Sequence, residues 1–222
     1  MKRPFLSEML PRRTALMLGA LVFALAGFSS AHAETKKPEP EEAKSFVQQL
    51  ADNAIAVLSS SASGSERDAT FDRILTAGFD LDAIGRFALG RHWNRATPEQ
   101  QAEYRTLFQR FVLRKYSTLL STYSGQKFRV ERVADLSAGD VLVLSVIEQS
   151  NAEPIKADWR VRRVGGELKI VDIRVEGISM VTAQRDEFAA VIKNSGIEGL
   201  LALLRKEGST SANAVEKTTT AG

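Results

Sequence analysis

The apolar residues of this chain change their spacing twice, and that change bounds the fold more tightly than any other feature. From Phe46 to Tyr123 they recur at intervals of three and four, the period of a helix. Between Phe128 and Val175 they alternate with polar residues or run nearly unbroken, as strands do. Beyond Thr182 the helical spacing returns. Helices, an antiparallel meander and then helices is the order of an α+β domain with its helices gathered on one face of a sheet.

Phe46, Val47, Leu50, Ala54, Val57 and Leu58 form a first helical stripe, broken by the Ser-rich stretch 59–65. Phe71, Ile74 and Leu75 mark a short helix ending at Gly78. Leu81, Ile84, Phe87 and Ala88 mark another, closed by Gly90. The clearest helix start is Thr97-Pro98-Glu99-Gln100. Thr97 caps free amides, Pro98 sits where a missing N–H costs nothing, and Gln100 reaches back to the cap. The helix it opens carries Tyr104, Leu107, Phe108, Phe111, Val112, Tyr116, Leu119, Leu120 and Tyr123 as one broad stripe, stopped by Gly125. A stripe that wide must face something large and apolar. Four strands are expected, over 128–133, 141–147, 155–162 and 168–175, with Gly165-Gly166 as a hairpin turn. The second is apolar enough to be buried on both faces. In the fourth, Val171, Ile173 and Val175 take one face and Asp172, Arg174 and Glu176 the other. Two last helices, about 182–193 and 197–206, are separated by Asn194-Ser195-Gly196.

The start of the chain has the layout of a secretory signal over residues 1–33. Lys2, Arg3, Arg12 and Arg13 precede an apolar run of 14 residues, and Ala31 and Ala33 supply an A-x-A cleavage site. The run falls short of the roughly 20 residues of a membrane span, which disfavours an uncleaved anchor. Arg12-Arg13 would suit twin-arginine export, but Pro11 and Thr14 flank the pair poorly and the general route is favoured. Removing residues 1–33 takes four basic residues and one acid, leaving 26 of each sign. A neutral chain has no global pull toward nucleic acid or anionic membrane. There is no cysteine, hence no disulfide and no lipid-modified N-terminal Cys. Residues 34–42 are charged and Pro-containing and read as a flexible leader; 209–222 read as a disordered tail. One folded domain over 43–208 remains, long enough to bury a core.

Little in that domain carries chemistry. His92 is its only histidine. Gly177-Ile178-Ser179 begins like a nucleophile elbow but lacks the closing glycine and leaves an antiparallel strand, the wrong context. No metal set can be built from His and Cys, and no phosphate-binding glycine loop is present, so no metal or cofactor is expected. Asp80 and Asp82 suit a helix start. Arg160, Arg162 and Arg163 read as an outer strand face balanced by Glu167 and Asp172 on a neighbour, with partner docking as the alternative. The inward strand positions, read as Ala157, Trp159, Val161, Val171, Ile173 and Val175, hold no acid, which argues against an enzyme built in a sheet-and-helix cone. What remains is apolar surface, and periodicity does not distinguish a filled core from a lined cavity.

Several blocks do point to a family. Phe79-Asp80-Leu81-Asp82-Ala83-Ile84-Gly85-Arg86-Phe87-Ala88-Leu89-Gly90-Arg91-His92-Trp93, then Ala96-Thr97-Pro98-Glu99-Gln100-Gln101, resembles the central signature of the MlaC family. Tyr123-Ser124-Gly125, Trp159-Arg160-Val161, the stretch 171–181 and Gln184-Arg185-Asp186-Glu187-Phe188 are also similar to the family pattern. The resemblance spans about residues 43–205. It implies a nuclear-transport-factor-like curved antiparallel four-stranded sheet packed with helices, and a periplasmic carrier, not an enzyme, that holds phospholipid acyl chains in an apolar cavity. The partners it implies are an inner-membrane ABC transporter complex containing an MCE-domain protein and an outer-membrane lipoprotein–porin complex. A hopanoid-associated branch of the family, HpnM, leaves a hopanoid-type lipid as an alternative ligand; an enzyme or an envelope adaptor with a filled core are the other readings. Physically a carrier is reasonable: at about 0.8 kcal/mol per exposed CH₂, two long acyl chains in water cost on the order of 20 kcal/mol. On this reading the lipid-binding residues are Phe87, Leu89, Trp93, Phe108, Phe111, Val112, Tyr116, Leu119, Val143, Trp159, Val161, Val171, Ile173, Val175 and Met180.

The signal layout carries its own test. N-terminal sequencing of the exported protein is expected to begin at Glu34, within a residue or two. Recovery of the full-length chain in the membrane fraction would contradict the cleavage.

Overall fold

The computed structural model describes residues 37–60, 64–120, 123–136, 139–150 and 152–209. The expected signal segment, the first residues of the leader and the tail beyond Ser209 lie outside them. Five helices and one sheet follow in the order the spacing implies: α1 (Pro40–Leu58), α2 (Gly64–Gly78), α3 (Leu81–Leu89), a 3-10 turn (Gly90–Arg95), α4 (Pro98–Leu120), β1 (Lys127–Asp135), β2 (Val141–Glu148), β3 (Ile155–Val164), β4 (Glu167–Val175), β5 (Ile178–Ser179) and α5 (Met180–Ser209). Among the described residues no helix is long and apolar enough to cross a membrane.

Local chemistry explains most boundaries. α1 begins inside the stretch read as leader, because Pro40 suits a first turn and Glu41 and Glu42 favour its positive end. The Asp80 carboxylate accepts from the Ala83 amide and caps α3. The reciprocal cap of α4 is in place: the Thr97 amide donates to Gln100 Oε1 at 3.0 Å, and the Gln100 amide donates to Thr97 Oγ1 at 3.3 Å. Gly165 and Gly166 both take positive φ in the β3–β4 turn. α5 is two helical segments joined across a kink at Gly196 (φ 69°), where the sequence placed a break.

The sheet runs β1-β2-β3-β4-β5 with every neighbour antiparallel. The expected four strands gain a fifth, because the chain turns back after Val175 for two residues before α5 begins. Ser179 ends this strand and its hydroxyl accepts the Thr182 amide at 3.1 Å, so the serine of the would-be nucleophile elbow starts a helix. Further along the same edge of β4, Phe79 bridges Ile170 in parallel, and the Asp80 amide donates to the Ile170 carbonyl. That bond fixes the α2–α3 connection against the sheet.

β4 does not alternate as expected. Arg160 pairs with Asp172 but Val161 pairs with Ile170, so Val171 is an extra, bulged residue. One inserted residue reverses the parity of a period-two strand. Ile170, fully buried, takes the inner position in place of Val171. Asp172, on the other side of the bulge, keeps its place opposite Arg160.

The outer face is held by one carboxylate. Asp140, 1% exposed, opens β2 and receives Arg160 and Arg162 from β3, the latter through two N–H groups at 2.8 and 2.9 Å. Arg163 pairs with Glu42 of α1. The arginines are therefore not balanced by Glu167 and Asp172 as the sequence suggested. β2 is buried on both faces, with Val141 and Val143 inside and Leu142 and Val146 outside. Leu142 and Val146 lie beside Arg160 and Lys156 in register, whose methylene stems cover apolar surface. The helices gather on the inner side and pack into two apolar clusters. One joins Ala43 and Val47 of α1 to Val141, Val143 and Val161. The other joins α2–α5 around Leu89, Tyr104, Phe108, Phe188 and Leu200.

Burial opposes ionisation of Asp140, but the hydrogen bonds from Arg162 and Arg160 outweigh it and hold the carboxyl below its ordinary value. Removing one side of a buried ion pair costs roughly 3–5 kcal/mol. The two guanidinium groups are partly exposed, and solvent recovers some of that. Asp140→Ala is expected to cost about 2–3 kcal/mol in urea unfolding. A group with a depressed folded pKa contributes stability that is complete above its unfolded value and is lost as pH falls through the folded one. The difference between wild type and variant should therefore be full at neutral pH and shrink on acidification below about pH 4.

Candidate functional site

Between the two clusters lies a cavity of about 610 Å³, within the roughly 300–1,000 Å³ typical of ligand sites. The sheet supplies Trp159 and Ile173; α4 supplies Phe108, Phe111, Val112, Lys115 and Tyr116. α1 contributes Val47, Leu50, Ala51 and Ala54, where two alanines on the inward stripe leave room a larger residue would fill. Phe71, Ile74 and Leu75 of α2, then Phe79, Leu81, Ile84 and Ala88, continue the wall. Met180, Val181, Ala183, Gln184 and Glu187 of α5 complete it. Most of these apolar side chains are only half-buried, unlike the clusters on either side. A contiguous apolar surface that packing has not consumed marks a binding site.

The walls are fixed from behind. The Trp159 indole N–H donates to Ser145 Oγ at 2.9 Å, and that hydroxyl donates to the Ala157 carbonyl at 2.6 Å. Phe128 meets the indole edge-on at 5.9 Å. On the helical side Tyr104 stacks on Phe108 at 5.6 Å, and Phe188 packs against Tyr104, Phe108 and Phe111. The Tyr104 hydroxyl, 2% exposed as a residue, donates to the Gly85 carbonyl.

Polar groups concentrate where α4, α5 and β4 meet. Lys115 Nζ donates to Gln184 Oε1 at 3.0 Å, lies 3.8 Å from Glu187 and sits over the Phe111 ring. Burial, then the charges of Asp172 and Glu187, push the Tyr116 hydroxyl above its usual pKa. One negative charge is in excess among Lys115, Asp172 and Glu187. The expectation that the strands bring no acid to the interior is overturned by Asp172, which lines the cavity and accepts the Val181 amide at the start of α5.

Of the residues read from the sequence as lipid-binding, Phe108, Phe111, Val112, Tyr116, Trp159, Ile173 and Met180 come together around this cavity. The others lie elsewhere. Val143 and Val161 are fully buried in the α1–sheet cluster. Leu89 is packed in the helical cluster. Trp93 sits on the flank of that cluster beneath Arg86 and Arg105, which share Asp82. Phe87 is 47% exposed under the Arg185 guanidinium. Val171 is the bulged residue, and Val175 pairs with Ala157 and Ile178 away from the cavity. The Leu119 side chain lies outside the described residues. The α1 and α2 walls were visible as stripes, but nothing in a stripe says whether it meets a neighbour or a void. His92 is half-buried on the 3-10 turn, away from the cavity; partial burial and then Arg91 and Arg95 push its pKa down. Among the described residues no group of His, Cys, Asp and Glu is placed to hold a metal ion.

Comparison with known proteins agrees with this geometry. Residues 48–206 match the family profile described as MlaC protein. The chain is 22% identical over 173 residues to the intermembrane phospholipid transport system binding protein MlaC of Haemophilus influenzae, covering 74% of this chain and 81% of that protein. It is 26% identical over 154 residues to the toluene tolerance protein ttg2D of Pseudomonas putida, covering 66% and 72%. The solved structure of a phospholipid-binding protein from Ralstonia solanacearum, in complex with a phospholipid, aligns with a TM-score of 0.67 at 25% identity, covering 77% of this chain and 98% of that one.

Cavity and core differ in their response to added volume. Ala54→Phe, facing the cavity, is expected to change stability by less than about 1 kcal/mol, whereas Val161→Trp in the packed cluster should cost about 1–3 kcal/mol or more. Denaturant titration of both variants checks this, and equal losses would mean that the α1 wall is packed.

Proposed function

We propose a function on one premise: this chain belongs to the MlaC family. It is a lipid carrier that holds phospholipid acyl chains in the cavity between its two clusters. The observation that carries this reading is the cavity itself, about 610 Å³ and walled almost wholly by apolar side chains, in a chain similar along most of its length to a protein solved with a phospholipid. The family reading adds the finer points: export to the periplasm, loading and unloading at an inner-membrane MCE-domain ABC transporter complex, and exchange with an outer-membrane lipoprotein–porin complex. A soluble carrier suits that setting because burial of the chains removes the cost of exposing them to water. Transport of this kind asks for no reacting group. The relatives' names, phospholipid transport and toluene tolerance, support a role in keeping membrane lipids distributed.

The test is mass spectrometry of an organic extract of purified protein. Diacyl phospholipid is expected at near-stoichiometric amounts; a hopanoid instead would move the protein to the other branch, and no lipid would leave an adaptor. Ala54→Phe should fold and retain much less lipid. His92→Ala should load lipid normally and complement an outer-membrane permeability defect in a deletion strain. Loss of complementation with loading intact would assign His92 a task that a passive carrier does not need.

A further inference from the structure

The cavity takes up only part of α3. Leu81, Ile84 and Ala88 line it, while Arg86 and Phe87 are exposed. The 3-10 turn that follows has no buried residue and adds Arg91 and Arg95, both exposed. Arg105 of α4 and Arg185 of α5 come to the same surface. The Arg86 and Arg105 guanidinium groups lie over the Trp93 ring at 5.3 and 4.9 Å. The Arg185 guanidinium lies over Phe87 at 5.4 Å, and its side chain lies against Gly90. Arg86 and Arg105 share Asp82, and among the described residues no acid pairs with Arg91, Arg95 or Arg185. With Glu99 and Asp186, which adjoin the patch along the chain, counted against them, the arginines still lead five to three. Residues 34–222 carry 26 charges of each sign, so this excess is local. Phe87 stands within the patch 47% exposed and lines neither cavity.

We propose that this face docks the protein on an anionic phospholipid surface, with the arginines on lipid phosphates and Phe87 among the headgroups. Guanidinium groups fork onto phosphate oxygens, and all five cations of the patch are arginine. An aromatic ring among cationic side chains suits the boundary between headgroups and acyl chains. An acidic protein segment would satisfy the arginines alone; the exposed ring, with no groove around it, favours the lipid surface. The proposal goes beyond the carrier reading and does not need the cavity to hold lipid. Where the cavity does hold lipid, α3 is the part of its wall that docking brings to the membrane.

The experiment is cosedimentation of full-length mature protein with vesicles of phosphatidylcholine, with and without about one third phosphatidylglycerol, the lipid that supplies the surface charge. Wild type should bind the anionic vesicles and not the neutral ones, and its binding should fall several-fold between about 0.05 and 0.3 M salt. Each arginine removed should weaken binding about fivefold, so Arg91→Ala with Arg95→Ala should lose roughly 25-fold. Arg91→Lys with Arg95→Lys, which keeps the charge, should retain most of it. Phe87→Ser should weaken binding several-fold and leave the salt dependence in place. The control is Lys127→Ala with Arg132→Ala, which removes the same charge from β1, a strand that packs on β2 and α1. It should bind as wild type does. Equal binding to neutral vesicles, unchanged binding of the alanine pair or of Phe87→Ser, or an equal loss in the β1 control would overturn the proposal. So would capture of a polyglutamate peptide without binding to vesicles, which would assign the face to an acidic protein partner. Docking by protein that holds no lipid would leave this inference standing and defeat the carrier reading; lipid-loaded protein that does not dock would do the reverse.

Discussion

Protein interiors pack to the density of organic crystals, so a cavity of several hundred cubic ångströms persists only where its walls are supported by contacts that do not cross it. This chain meets that constraint by building two apolar clusters in place of one. α1 packs on the inner face of β1–β3 through Ala43, Val47, Val141, Val143 and Val161. The longer helices pack on each other around Tyr104, Phe108 and Phe188. Each wall rests on its own support, and the space between need not close. Trp159 shows how tight the requirement is. Its indole lines the cavity, and the Ser145 hydroxyl together with the Phe128 ring fixes its position.

The polar architecture serves the same division. Asp140 gathers Arg160 and Arg162 onto the outer face and so keeps two long cationic side chains from the inner one. Asp172 of β4 lines the cavity together with Lys115 and Glu187. The cavity is therefore apolar almost throughout, with charge confined to the side where α4, α5 and β4 converge. A dry lining next to a small polar patch is what a molecule with long tails and a charged end requires.

Much of this was legible in the sequence, and the failures have identifiable causes. Helix starts and stops were written in local chemistry, and the Thr97–Gln100 cap formed as its residue types require. The broad stripe of α4 did mark the cavity, through Phe108, Phe111, Val112 and Tyr116. Strand faces were less secure, because they depend on counting by twos. Val171 broke the count, exchanging Ile170 for Val171 on the inner face. Val143 and Val161 face the correct side of the sheet, but α1 covers them, and no pattern within β2 or β3 announces where a helix from the start of the chain will lie. The alanines at 51 and 54 were the subtler signal: short side chains on an otherwise apolar stripe are where volume goes missing.

The position of α1 bears on how such a chain comes to be folded at all. Glu42, at its start, meets Arg163, 121 residues later, and the residues beneath α1 belong to strands near the middle and second half of the chain. Contacts this distant in sequence form slowly because loop closure precedes them. The helix that walls one side of the cavity therefore docks only once the strands beneath it have paired, and closure of the α1 wall belongs to the end of folding.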